Sequence, residues 1–217
     1  SWPGNSSPTA MISASHWARG AYPITPTGWE TATLLAACEA VLSARPALLQ
    51  YRAKPGPDAG LARQLRQRCV SAGVPLLIND DLALARALGT GVHLGRDDGD
   101  VAAARTQLGP DAIIGVSVYD DIDRAQAAAA AGASYVSFGR FFASRTKPSA
   151  TPVQPDILVT ARARLSVPIA VIGGITPDNA APLVARGAHL LASVEGIFGA
   201  ADPARAVHSF QALLGQP

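Results

Sequence analysis

Short apolar runs, each about the length of one buried strand, recur along the chain at Ala21–Thr25, Leu48–Arg52, Pro75–Asn79, Gly91–Gly95, Ile113–Ser117, Tyr135–Gly139, Ile169–Gly174 and Leu190–Glu195. Most are continuous rather than alternating and rich in Val, Ile or Leu, the pattern of strands covered on both faces in a parallel sheet. Helical stretches lie between them. Thr31–Ser43 and Leu61–Ala72 repeat apolar residues every three or four positions, and Asp123–Ala131 is almost pure helix former. Gly73, Gly132 and Gly187 each stand between a helical stretch and the next apolar run, where glycine relieves left-handed strain. Strand–helix units at near-even spacing predict an α/β fold, a (β/α)8 TIM barrel in a single domain, with an open doubly wound sheet as the alternative.

The first nineteen residues stand apart. Ser1–Thr9 is rich in Pro, Ser and Gly and has neither the basic nor the apolar region of a signal peptide. Residues 1–19 are therefore expected to be a leader or linker, partly ordered at best, ahead of a catalytic barrel over residues 20–217. Trp2 and Trp17 are large enough to pack onto that body.

Composition narrows the class. A chain of 217 residues that is 48% hydrophobic and 16% charged is globular, and its net charge of +2 gives no general case for nucleic acid or a membrane surface. Mean hydropathy is +0.19, yet the sequence has no run of the roughly 18 apolar residues a spanning helix needs. Cys38 and Cys69 fall in helical patterns without metal-ligand spacing and read as small buried thiols. A cytoplasmic protein with small-molecule partners is expected, and a homo-oligomer is compatible with that.

In a barrel, chemistry sits at the C-terminal ends of the strands, and the polar residues of this chain collect there. Arg52 and Lys54, two apart on one strand end, point the same way and form either a clamp for a polyanion or a pair of rim charges. Asp80 and Asp98 follow neighbouring strands and suit a hard cation such as Mg²⁺; helix capping is the alternative, since Asp81 and Asp97 adjoin them. Ser144, Thr146 and Lys147 occupy a longer, proline-punctuated loop suited to phosphate oxygens. Gly173 and Gly174 fit the phosphate site that barrels build after strands seven and eight. His93 is expected to be structural, because spacing suggests no partner for it. Together these groups point to phosphate chemistry.

The motifs Gln50-x-Arg52-x-Lys54, Ile78-Asn79-Asp80, Val92-His93-Leu94-Gly95 with Asp98, Gly115-Val116-Ser117, Thr146-Lys147 and Ile172-Gly173-Gly174-Ile175 occur in the order and spacing of the thiamine-phosphate synthase family. The resemblance covers Ala21 to Leu214 and implies a Mg²⁺-dependent transferase of thiamine biosynthesis on a TIM barrel. In that reaction a thiazole phosphate displaces pyrophosphate from hydroxymethylpyrimidine diphosphate. By the same likeness, Arg52, Lys54, Asn79 and Lys147 would hold the diphosphate, and Asp80 and Asp98 would carry Mg²⁺. Gln50 would meet the pyrimidine and Ser117 the leaving group. Ser144, Thr146, Gly174, Val194 and Glu195 would line the phosphate sites.

The chain departs from the family pattern at five positions: Ala53 replaces an acidic residue, Arg96 a Gln, Arg140 a Pro, Ser144 a Thr and Glu195 a Ser. A carboxylate at Glu195 would repel a phosphate unless it points away or pairs with Arg140 or Arg145. Two other readings remain, a thiazole tautomerase-like paralogue and a non-catalytic binder of thiamine phosphate or phosphate. The first relies on a His where this chain has Tyr119.

Overall fold

The computed structural model describes residues 16–95, 100–143 and 151–216. Its strands are β1 (Gly20–Pro23), β2 (Leu49–Tyr51), β3 (Leu76–Asn79), β4 (Gly91–Leu94), β5 (Ile114–Tyr119), β6 (Tyr135–Phe138), β7 (Ile169–Val171) and β8 (Leu190–Ser193). All pair in parallel, in the order β1-β8-β7-β6-β5-β4-β3-β2. Between the first and second strands Ile24 bridges Gln50, and the Thr25 N–H donates to the Gln50 carbonyl at 3.0 Å. That bridge closes the barrel and decides against the open sheet. Each predicted apolar run overlaps one of these strands, although β1 starts one residue before its run and β5 continues two residues past its own.

The helices are α1 (Thr31–Ser43), α2 (Ala59–Ala72), α3 (Leu82–Leu88), α4 (Val101–Leu108), α5 (Ile122–Ala130), α6 (Ile157–Arg164), α7 (Ala181–Ala185), α8 (Glu195–Phe198) and α9 (Pro203–Leu213). Aspartates start many of them. Asp58, Asp81, Asp100, Asp121 and Asp202 each accept a backbone N–H in the first turn of α2, α3, α4, α5 and α9. Such a cap is worth roughly 0.5–2 kcal/mol against alanine. α2 ends on Gly73 at φ 70°, the left-handed cap its sequence position implied. None of the helices among the described residues is long and apolar enough to cross a membrane.

Strand alternation divides the core in two. Outward residues such as Leu49, Ile78, Val92, Ile114, Val136 and Val171 pack under the helices in one large cluster. Inward residues Tyr22, Ile24, Leu48, Leu77, Tyr135, Ala170, Leu190 and Ala192 form a second cluster inside the barrel. Trp17 packs against this inner cluster, its ring centroid 6.3 Å from that of Tyr135. Cys38 and Cys69 are buried free thiols, and burial pushes each up to about 12, so both stay protonated.

Candidate active site

The C-terminal ends of β2 and β3 bring the first group of candidate residues together. Lys54 Nζ lies 2.9 Å from Asp80 Oδ2, and Asn79 Nδ2 donates to the same oxygen at 3.0 Å. Asp80 adopts φ 64°, and its N–H donates to the His93 carbonyl at 2.9 Å. Aspartate tolerates this left-handed region better than most residues. The turn gives two adjacent carboxylates different work: Asp81 Oδ1 accepts the Leu84 N–H at 2.9 Å and caps α3, while Asp80 faces Lys54 and Asn79. Of this pair, Asp81 is the helix cap.

Arg52 is positioned by its backbone. The buried Thr25 hydroxyl accepts the Arg52 N–H at 2.9 Å and donates to the Arg52 carbonyl at 3.1 Å. The guanidinium is half-buried and makes no hydrogen bond among the described residues, so its fork remains available to an oxyanion.

Inside the barrel a second group forms a line. Gln50 Nε2 donates to Tyr22 Oη at 2.8 Å, Tyr22 Oη meets Tyr135 Oη at 2.6 Å, and Tyr135 Oη meets His93 Nδ1 at 2.7 Å. His93 Nε2 then lies 2.8 Å from Ser117 Oγ. Strand register accounts for the reach: His93, Gly115 and Tyr135 occupy one level on β4, β5 and β6. Gly115 contributes no side chain to that level, and a Cβ there would collide with the hydroxyl end of the Tyr135 ring. The ring therefore crosses β5 and stacks on His93, with centroids 5.8 Å apart. Burial pushes His93 down to about 4, with Asp80 acting in the opposite sense, so the imidazole is neutral at neutral pH. Burial also raises both tyrosines, so each stays a phenol. His93, expected only as a structural residue, touches candidate Ser117 directly.

At the β7 and β8 ends, Gly173 (φ 101°) and Gly174 (φ 63°) combine left-handed backbone with close approach. A Cβ on Gly173 would strike Arg140, and one on Gly174 would lie 2.9 Å from the Ala143 carbonyl oxygen. The pair thus admits the segment after β6, a packing role beside the expected anion role. Ser193 Oγ accepts the Gly196 N–H at 3.0 Å and donates to the Ile175 carbonyl at 2.8 Å, bracing the turn through Val194 into α8. Glu195 is exposed. Its Oε2 lies 2.6 Å from where a Gly199 Cβ would stand, so the carboxylate runs along α8 toward its C-terminal end.

Asp98, Ser144, Thr146 and Lys147 lie outside the described residues, as do Arg96 and Arg145. Thr25, Tyr22 and Tyr135 are site-supporting residues that sequence reasoning missed. For Tyr22 and Tyr135 the signal is a polar atom at an inward strand position, the parity shared by Gln50, Asn79, His93 and Ser117; Thr25 follows β1 and carries no such signal. A groove of about 450 Å³ at the opposite rim, lined by Arg66, Thr90 and Gln107 among others, contains none of the candidate residues.

Known proteins resemble this chain in sequence and in fold. The family model described as thiamine monophosphate synthase matches residues 21–197. A thiamine-phosphate synthase of Azoarcus sp. is 57% identical over 90% of this chain and 97% of its own length. One of Xanthomonas campestris is 53% identical over 90% of this chain and 95% of its own. The solved thiamine phosphate pyrophosphorylase of Pyrococcus furiosus superposes with a TM-score of 0.80 at 24% identity, covering 93% of this chain and 98% of that one. The likeness in fold at low identity and the likeness in sequence at high identity agree, and the chain belongs to the thiamine monophosphate synthase family.

Proposed function

We propose that the chain joins hydroxymethylpyrimidine diphosphate to a thiazole phosphate, giving thiamine phosphate and pyrophosphate. The observation that carries this reading is the grouping of Arg52, Lys54, Asn79 and Asp80 on two adjacent strand ends, with Lys54 Nζ 2.9 Å from Asp80 Oδ2. The thiazole nitrogen lone pair forms the new C–N bond to the pyrimidine methylene carbon. The C–O bond to the diphosphate breaks, and its electron pair leaves with the diphosphate oxygen.

Charge separates along the breaking bond, positive on the methylene and negative on the departing oxygens. Such a reaction needs preorganised cations and hydrogen-bond donors at the leaving group and little acid–base machinery. Arg52 offers a planar fork, Lys54 a point charge, and Lys147 a further cation from the β6 loop. Asn79 and Ser117 add neutral donors. Gln50 reads the pyrimidine, and Ser144, Thr146 and the backbone near Gly174, Val194 and Glu195 receive the phosphate groups.

Mg²⁺ fits the donor set. Magnesium takes one or two carboxylates and completes its shell with water and substrate phosphate. Asp80 would present a hard oxygen ligand beside Lys54 and Asn79, the α3 cap being Asp81, and Asp98 would be the second. When bound, the ion supplies positive charge to the diphosphate oxygens.

The test is a pyrophosphate-release assay with both synthetic substrates, with Mg²⁺ and then with EDTA. Release that requires Mg²⁺ and both substrates is expected. No metal-dependent release defeats the reading.

A further inference from the structure

Gln50 and Ser117 sit at the two ends of one buried line of hydrogen bonds, and counting protons gives that line a direction. Gln50 Nε2 donates into Tyr22 Oη at 2.8 Å. The Tyr22 proton must then go to Tyr135, because Tyr22 is buried and has no other acceptor among the described residues. Tyr135 Oη already receives that bond, so its own proton goes to His93 Nδ1 at 2.7 Å. A neutral imidazole with Nδ1 accepting carries its proton on Nε2. That proton points at Ser117 Oγ, 2.8 Å away. The Ser117 hydroxyl is then an acceptor on its barrel side, and its own proton is left to point out of the line.

We propose that Tyr22, Tyr135 and His93 are positioning residues forming one oriented relay, which fixes Ser117 as a hydrogen-bond donor and Gln50 Oε1 as an acceptor toward the substrates. The proposal rests on the reading of Ser117 and Gln50 as substrate contacts. Gln50 Oε1 receives no hydrogen bond among the described residues, so committing Nε2 to Tyr22 leaves the amide an acceptor for a ligand N–H. At the other end a donor is what a departing diphosphate oxygen requires.

With every buried donor in the line paired, the relay has one alternative, and it inverts both ends together. If the Gln50 amide turned over, each phenol would donate backward, His93 would carry its proton on Nδ1, and Ser117 would donate into the barrel. Gln50 and Ser117 are therefore coupled: the pyrimidine-facing amide and the leaving-group hydroxyl hold their polarity together or lose it together. No protein charge changes anywhere along the line. Its effect is to prepay the orientation of two dipoles, which otherwise reorganise as charge separates.

The direct test is the His93 tautomer, read from long-range ¹⁵N–¹H spectra of the full chain labelled at histidine and assigned by loss of the signal in His93→Gln. A protonated Nε2 and a bare Nδ1 are expected; the reverse tautomer overturns the relay. In Tyr135→Phe the tautomer preference should weaken and kcat fall about tenfold with KM held within about twofold. An unchanged kcat in a folded Tyr135→Phe protein overturns the positioning role. His93→Gln, which keeps an amide N–H near the Nε2 position, should retain several-fold more kcat than His93→Leu; equal losses in both count against it. Ser117→Ala separates the two claims. Normal turnover there defeats the site reading beneath the proposal, whereas a proton on Nδ1 defeats the relay alone.

Discussion

Lys54 Nζ lies 2.9 Å from Asp80 Oδ2, so the candidate diphosphate cation and the candidate metal carboxylate neutralise one another directly. Lys54 is 48% exposed and Asp80 28%, a setting in which an ion pair is worth only about 0.2–1 kcal/mol. The pair is cheap to open, as a site that exchanges one partner for a substrate phosphate or a cation requires.

Lys54→Ala should therefore separate stability from catalysis. Unfolding by urea should move by no more than about 1 kcal/mol. Turnover should fall at least about a hundredfold, since one electrostatic partner at a developing oxyanion contributes about 2.7–4 kcal/mol. Near-normal kinetics would remove Lys54 from the site.

Thr25 predicts the opposite balance. Its hydroxyl satisfies both backbone groups of Arg52, at 2.9 and 3.1 Å, from a position only 1% exposed. Thr25→Val keeps the shape and deletes both bonds, leaving a part-buried N–H without its partner at a cost of about 1–3 kcal/mol. Urea titration should show that loss. KM for the pyrimidine diphosphate should rise, because the Arg52 guanidinium is carried on the backbone that Thr25 holds. A variant with unchanged KM would mean that Arg52 keeps its place without this bracket.

The strands were legible because a strand buried on both faces leaves a continuous apolar run, and Ile113–Ser117 or Leu190–Glu195 can hardly be read otherwise. The rim residues were legible because Arg52, Lys54, Asn79 and Asp80 end or closely follow continuous apolar runs. What lay beyond the sequence was direction. Asp80 and Asp81 are identical in composition and neighbours in the chain; the left-handed turn at Asp80 sets its carboxylate toward Lys54 while Asp81 caps α3. Tyr22 and Tyr135 lie within apolar runs, and the Tyr135 hydroxyl reaches His93, with the Tyr22 hydroxyl behind it, because Gly115 has no side chain, an arrangement across β4, β5 and β6. The sequence motif Gly115-Val116-Ser117 thus joins a space-making residue to the hydroxyl at the end of the relay.

His93 sets an acid limit on stability. Burial lowers it from 6.5 to about 4 in the folded chain, against a partial opposing pull from Asp80, while Tyr22 and Tyr135 stay neutral throughout. Between those values the unfolded chain binds a proton that the folded chain refuses. Stability is full above about 6.5 and is lost as pH falls toward 4, by about 3 kcal/mol in all. His189, also lowered by burial, acts in the same sense. Urea midpoints measured from pH 7 to pH 4.5 should fall more steeply in the unmodified chain than in His93→Gln. Parallel slopes would show that His93 takes up its proton without disturbing the fold.

Glu195 stands where the family usually has Ser, at the end expected to receive the thiazole phosphate. Its carboxylate lies against Gly199, along α8 and away from the turn at Val194 that Ser193 braces. An exposed charge turned outward is well screened by salt. Glu195→Ser should therefore change KM for the thiazole phosphate by no more than about threefold at physiological ionic strength. The comparison should be repeated at low salt, where any residual repulsion would grow and the serine variant would gain on the unmodified chain. A tenfold or greater drop in KM at both ionic strengths would mean that the carboxylate turns back onto the phosphate. The chain would then carry a built-in penalty against its acceptor substrate.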